Sequence, residues 1–246
     1  MKKFILLICI FINILNAQSL QTQLNNLHIA TEDYPPISFK NKDGKADGLA
    51  SEVATIIMGK LNMTQKIRVW PWARDYKLLK KGPNYLVFSV ARTKERDPLF
   101  QWVGPIFSMN TGFYTKKNSK LKITSLDDAK KLHKIGTYLE SFDKQYLENQ
   151  HFTNLDSTRN NILNIKKMMI GRFDVITATN VTIKAMVKKA GYTMNDIKNT
   201  YTFLSTGVYF AFSKDVPFEV VNAWGQELEK LRNSGDLKKI REKWLK

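Results

Sequence analysis

Tyr85-Leu86-Val87-Phe88-Ser89-Val90 decides the fold class. A strand with one wet face alternates apolar and polar residues, whereas this run is apolar at every position but Ser89, as a strand covered on both faces must be. Ahead of it, Pro71 suits the first turn of a short helix that stops at Gly82, and Lys66 to Trp70 alternates as a strand. Leu49, Val53, Ile56, Ile57 and Leu61 share one helical face, and Leu27 to Thr31 makes a first strand. Behind it the alternation resumes. Ser125 with Asp128 has the spacing of a capping box, Lys134 to Tyr138 reads as a strand, and Ser141 can cap the next helix. Ser157 to Met169 reads as a helix stopped by Gly171, Phe173 to Thr177 as a strand, and Val181 to Lys189 as a helix ended by Gly191. A strand from Val208 to Phe212 leads through Pro217 into helices ending near Leu245. The pattern predicts an α/β architecture with largely parallel sheets.

Met1 to Ala17 carries Lys2 and Lys3, an apolar run from Phe4 to Ile12 and a small residue at the exit, the features of a secretory signal peptide cleaved after Ala17. The apolar run is too short to span a bilayer well. Cys9, the one cysteine, lies inside it behind Ile8, which is not the small residue a lipid-modified cysteine follows; the rest of the chain has no disulfide or thiolate ligand. A net charge of +17, mostly from lysines spread along the chain and mixed with acids, reads as a solvated basic surface, so no nucleic-acid partner is expected. His28, His133 and His151 lack metal-ligand spacing, and no P-loop or dinucleotide fingerprint occurs. No metal or cofactor is expected.

Sheets of this kind bind ligands beyond the carboxyl ends of their strands. Those ends fall at 31–34, 70–74 and 89–96 in the first half and at 138–142 and 177–180 in the second, which places a cleft between two lobes. The run Glu32-Asp33-Tyr34-Pro35-Pro36-Ile37-Ser38-Phe39, with Asp43-Gly44 and Gly48 opening a helix, resembles the start of the polar amino-acid-binding type of periplasmic solute-binding proteins, the extracellular solute-binding family 3. Thr93-Lys94-Glu95-Arg96 before Phe100 to Pro105, Gly171-Arg172-Phe173-Asp174, and Ser234-Gly235-Asp236-Leu237 with Trp244 continue the resemblance in order, and Trp70-Pro71-Trp72-Ala73-Arg74 is similar to a subgroup with a P-W-x-R signature. The resemblance implies the two-lobed periplasmic-binding-protein fold (type II), with residues 18–108 and 206–246 in one lobe and 109–205 in the other. It further implies a monomer that presents a small molecule, an amino acid or related organic acid, to ABC-transporter membrane subunits or to a chemoreceptor or sensor.

Arg96 matches the family arginine that grips the ligand carboxylate, a task suited to the guanidinium fork; a surface ion pair with Glu95 or Asp97 is the alternative. Ser89 can contact the same carboxylate or serve as a packing serine. Two residues on, where the family often has another hydroxyl, stands Ala91, and Arg92 is a candidate second cation or an exposed arginine. Tyr34 and Trp72 are expected as aromatic walls, Trp70 as core, and Arg74 either in the cleft or in solvent. Ser141 and Phe142 offer a helix N-terminus to an anionic group. The family's ammonium-pairing aspartate is replaced by Thr179, followed by Asn180, which argues against a standard α-amino acid unless Glu32, Asp33, Glu140 or Asp143 supplies that charge.

Two other functions compete. An enzyme of the same fold, resembling cyclohexadienyl dehydratases, needs a positioned acid, for which Glu140 is the candidate by position; no nucleophile, base and orienter constellation supports it. A nucleic-acid module would rest on charge alone.

Overall fold

The computed structural model describes residues 20–245; the signal-peptide reading of residues 1–17 lies outside them. A helical segment, α1, takes in residues 20–25 and leads into β1 (His28–Thr31). The other elements are β2 (Phe39–Lys40), β3 (Ala46–Asp47), α2 (Leu49–Lys60), β4 (Arg68–Val69), α3 (Trp72–Lys81), β5 (Tyr85–Ala91), β6 (Gln101–Lys116), α4 (Leu126–Lys130), β7 (Ile135–Tyr138), α5 (Phe142–Asn149), β8 (Leu155–Thr158), α6 (Asn161–Met169), β9 (Val175–Thr179), α7 (Ile183–Lys189), β10 (Ile197–Phe212), α8 (Phe218–Asn233) and α9 (Asp236–Trp244).

Eight strands form one sheet in the order β4-β1-β5-β10-β6-β9-β7-β8. The flanking sets pair in parallel, β4 with β1 with β5 and β9 with β7 with β8. The central strands β10 and β6 run antiparallel to each other and to their neighbours β5 and β9. Each of these two strands is 16 residues long and passes from one half of the molecule into the other. The α/β reading therefore holds, with antiparallel pairing where the halves join.

Each half has apolar clusters on both faces of its sheet, which is why Leu86, Val87, Phe88 and Val90 of β5 are all buried. In the first half, α2 buries Leu49, Val53 and Ile57 against a cluster that also holds Phe88, Phe210, Phe212 and the fully buried Trp224 of α8. Trp224 lies 5.2 Å from the Phe210 ring and 6.0 Å from that of Phe212. A second cluster places Trp72, Tyr76 and Leu79 of α3 on the opposite face. In the second half, α6 and α7 supply Ile165, Met168, Met186 and Val187 to one face, and α4 and α5 supply Ala129 and Leu147 to the other. Burying an aromatic or leucine side chain is worth roughly 1.5–3 kcal/mol, so each half carries a core of its own.

Local capping follows the sequence in most places. Ser125 Oγ accepts the Asp128 N–H, but the Asp128 carboxylate reaches back to Thr124 N–H and hydroxyl, one residue beyond a strict capping box. Pro71 is the residue ahead of α3 and Gly82 ends it. Gly48, at φ 111°, opens α2 with its Cα so close to the preceding loop that a Cβ would sit 2.8 Å from the Ile37 and Pro36 carbonyl oxygens. Three readings need correction. The helix expected from Ser157 begins only at Asn161, after the Asn160 side chain caps Ile162 N–H, and Leu155 to Thr158 instead form β8 along β7. The strand expected over Lys66 to Trp70 shrinks to Arg68–Val69 at the sheet edge. Val208 to Phe212 is only the last part of the much longer β10.

Candidate functional site

Parallel strands β1, β5, β7 and β9 end toward a cleft that encloses about 510 Å³, counted to its mouth. The loop after β1 contributes Glu32 and Tyr34, α3 contributes Trp72, β5 contributes Ser89 and Ala91, and the turn beyond contributes Arg96. From the other half come Thr111 of β6, Tyr138 of β7, Ser141 with Phe142 and Asp143 at the start of α5, and Thr177 to Thr179 of β9.

Arg96 is aimed inward by its turn. The Thr93 carbonyl accepts the Arg96 and Asp97 N–H groups, and Arg96 N–H also lies 3.4 Å from Thr93 Oγ1. The guanidinium is 1% exposed, its carbon lying 4.9 Å from the Trp72 ring centre and 4.7 Å from that of Tyr76. Its Nε donates to Gln145 Oε1 at 2.9 Å and its Nη2 to the Glu140 carbonyl at 2.9 Å. Burial holds its pKa below the usual arginine value, opposed by Tyr76, Asp143 and Glu32. Arginine stays charged under such a shift, so the cleft contains a dehydrated cation.

Acids surround that cation. Glu32 is 8% exposed, and burial first, then the nearby Asp75 charge, push its pKa to about 8 against the opposing pull of Arg96. Asp143, also buried, lines the cleft from the first turn of α5. Asp75, on α3 beside this group, is fully buried with neither carboxylate oxygen hydrogen-bonded, and burial raises its pKa to about 8. Glu32 and Asp143 thus place carboxyl groups in the cleft wall, where Thr179 offers only a hydroxyl. Thr179 Oγ1 instead pairs with Thr182 Oγ1 at 2.9 Å. The hydroxyls of Thr111 and Thr177 are buried in the cleft wall with no hydrogen-bond partner.

Ser89 lies inside β5, not beyond it. Its φ is +68°, and between Phe88 and Val90 the ladder with β10 skips it, so Ser89 is the extra residue of a bulge. The bulge turns its hydroxyl toward the cleft, where it donates to Ser38 Oγ at 3.0 Å; Ser38 in turn donates to the Glu32 carbonyl at 2.9 Å. Glu140 also has positive φ, +59°, and works through its backbone: its carbonyl accepts from Trp72 Nε1 at 2.6 Å as well as from Arg96. Its side chain is not among those that line the cleft. Tyr34 reaches across to Thr179 and Thr182, and burial raises its pKa.

Of the residues expected from the sequence, Arg96, Tyr34, Ser89, Ala91, Trp72, Ser141, Phe142 and Thr179 meet in this cleft. Arg92 does not: exposed, it pairs with Asp97 at 2.5 Å and lies over the rings of Trp102 and Tyr209. Arg74 stacks 3.8 Å over Trp70, which is half-buried, packs against the α3 cluster and also lies under Arg68. Asp33 sits at the mouth, paired with Lys189 at 3.0 Å. Sequence reasoning placed Tyr138 and Thr177 within the strand-end stretches 138–142 and 177–180 without singling them out, and missed Thr111, which lies on β6, a strand the pattern did not show. The Gly171 to Asp174 motif is structural, Asp174 Oδ2 accepting the His133 and Lys134 N–H groups at the entry to β7. Among the described residues no group of His, Cys, Asp and Glu is arranged to hold a metal, and no helix is long and apolar enough to cross a membrane.

Known proteins share this fold. An ancestral arginine-binding protein bound to arginine is 26% identical, with a TM-score of 0.74 over 89% of this chain and 98% of that one. A histidine kinase sensor domain similar to periplasmic binding proteins has a TM-score of 0.81 at 18% identity, covering 90% of this chain and 96% of its own. The ancestral amino acid-binding protein AncCDT-1, a precursor of cyclohexadienyl dehydratase, has a TM-score of 0.77 at 22% identity, covering 94% and 99%. A search of curated protein sequences found no match. The family model of bacterial extracellular solute-binding proteins, family 3, matches residues 27–246. With that match running from β1 to the last residue, and the fold shared throughout, the chain belongs to the bacterial extracellular solute-binding proteins of family 3.

Proposed function

We propose that the protein captures a small amino acid between two closing lobes and delivers it to an ABC importer without chemical change. One observation carries this reading: a buried arginine and two acids, Glu32 and Asp143, line a single cleft built by both halves. A carboxylate on Arg96 and an ammonium facing the acids would each find an opposite charge in a dry site, where such pairing matters most. The arginine-bound relative at 26% identity supports the amino-acid head. The lobes of this proposal are residues 18–108 with 206–246, and 109–205. The ladder supports the division, since Ser108 pairs with Gly207 and Met109 with Thr206, so both crossings lie side by side. The cation between acids offers binding groups but no base oriented toward a nucleophile, which supports binding over catalysis.

A thermal-shift screen of the purified protein with amino acids and with small dicarboxylates tests the proposal. At least one α-amino acid should raise the unfolding midpoint, because a ligand that prefers the folded state stabilises it. Stabilisation by dicarboxylates alone would overturn the zwitterion reading, and turnover of a stabilising ligand would overturn the binding-only reading.

A further inference from the structure

Beside the cleft lies a second chamber open to solvent, of about 1100 Å³ counted with its open mouth. Tyr34, Tyr138, Asn161 and Met186 line both spaces, so an inner and an outer compartment adjoin across them. Their chemistry differs. The inner one holds a single cation among acids, whereas the outer one is lined by Lys40, Arg159 and Lys189, with Asp33 as its one acid. Lys189 is engaged by Asp33. Lys40 and Arg159, both exposed, make no ion pair or side-chain hydrogen bond among the described residues. Lys40 closes the β2 strand of one half and Arg159 follows β8 in the other, so the chamber presents an unpaired cation from each side. The face of Trp70 completes the wall.

We propose that this outer compartment is a second subsite, specific for an anionic extension of the ligand, so that the preferred solutes are α-amino acids whose side chain continues through an amide or similar linker to a terminal carboxylate. The inference rests on the amino-acid head occupying the inner cleft. Unpaired cations on facing walls lose little solvation when a flexible carboxylate arrives, and a net-positive mouth attracts it from solution. Glu32 and Asp143 line the inner compartment beside Arg96, so a second ligand carboxylate there would meet acids, and the far end of a diacid fits the cation-lined outer compartment better.

Glutamine and γ-glutamylglycine make a matched pair of probes, with the same α-carboxylate, α-ammonium and γ-amide; only the second carries a further carboxylate. Titration calorimetry of the purified protein at low salt should show γ-glutamylglycine binding about tenfold tighter, one well-placed charge contact being worth roughly 1.4 kcal/mol. That preference should shrink in about 0.5 M salt, as for exposed charges. In the Lys40→Ala/Arg159→Ala variant the ratio of the two dissociation constants should fall to about one; both side chains are exposed, and an unchanged unfolding midpoint confirms the fold. Glutamine binding as tightly as γ-glutamylglycine, or a preference that survives the double substitution, would overturn the outer subsite and leave the inner one standing. Binding of neither probe, nor of any α-amino acid in the screen, would overturn the amino-acid head itself.

Discussion

Arg96 was legible as a candidate only through the family resemblance that includes Thr93-Lys94-Glu95-Arg96, and its cradle was not legible at all. The guanidinium is held by Gln145 and by the backbone of Glu140, contacts distant in sequence that no local pattern encodes. Truncation to alanine would leave a bound carboxylate in a dry cleft without its partner. Arg96→Ala should weaken binding of the best screened amino acid by roughly 2–5 kcal/mol, and Arg96→Lys should recover only part because the fork geometry is lost. Titration calorimetry reads both. Asp75, inside the P-W-x-R-D stretch but unremarked in the sequence reading, yields a stability prediction. Its pKa is raised above the unfolded value by burial, so the folded state holds a proton the unfolded chain releases. Stability attributable to that proton is full below about pH 4 and falls as pH rises toward about 8. Asp75→Asn should therefore be more stable than the parent at pH 8, by about 1–3 kcal/mol, with the difference fading toward pH 5. Urea unfolding at several pH values checks this. Glu32 follows the same sign, and a ligand cation beside it favours its ionised form. Binding should then release protons and tighten from pH 6 to 9, which calorimetry in buffers of different ionisation enthalpy measures.

Among elements, those that bury a clean face were readable and those that bridge were not. Strand β5 and helix α2 follow from their apolar patterns because one environment acts along their whole length. Strand β10 starts at buried Ile197, runs through partly exposed residues to Ser205 and ends in the buried Phe210 to Phe212, so the burial of its residues alternates irregularly until Val208 and no period survives. Its partner β6 carries Gly104, Pro105 and Gly112, residues that argue against a strand unless the neighbours are known. Strand β8 is short and only partly buried, and Leu-Asp-Ser-Thr gave no strand signal. The start of α2 was marked by Gly48, and the structure explains why: the loop bearing Tyr34 packs on its backbone. Gly48→Ala combines an unfavourable φ with a clash against two carbonyls, and should cost about 2–4 kcal/mol of stability, read by urea unfolding. Ligand affinity should fall with it, because Leu49 and Ala50 N–H groups tie that loop through Pro36 and Ile37.

At the scale of the whole molecule, the two-lobed architecture came from the order of motifs along the chain, while the closeness of the halves could come only from the structure. Tyr34 reaching Thr179 and Thr182, Trp72 on Glu140, Arg96 on Gln145 and Asp33 on Lys189 all join one half to the other. If ligand capture favours this arrangement, small-angle scattering should show a smaller radius of gyration at saturating ligand than without it. An identical profile would count against hinge closure. The Asp33–Lys189 pair has a practical corollary. It is exposed, it spans the mouth, and the sole cysteine, Cys9, lies in the stretch ahead of the described residues. A thiol introduced as Lys189→Cys would thus be unique among the described residues. Labelled with a dye that brightens when shielded from water, it would turn the movement of one lip against the other into an optical signal, and so make the protein a reagentless sensor of its own solute.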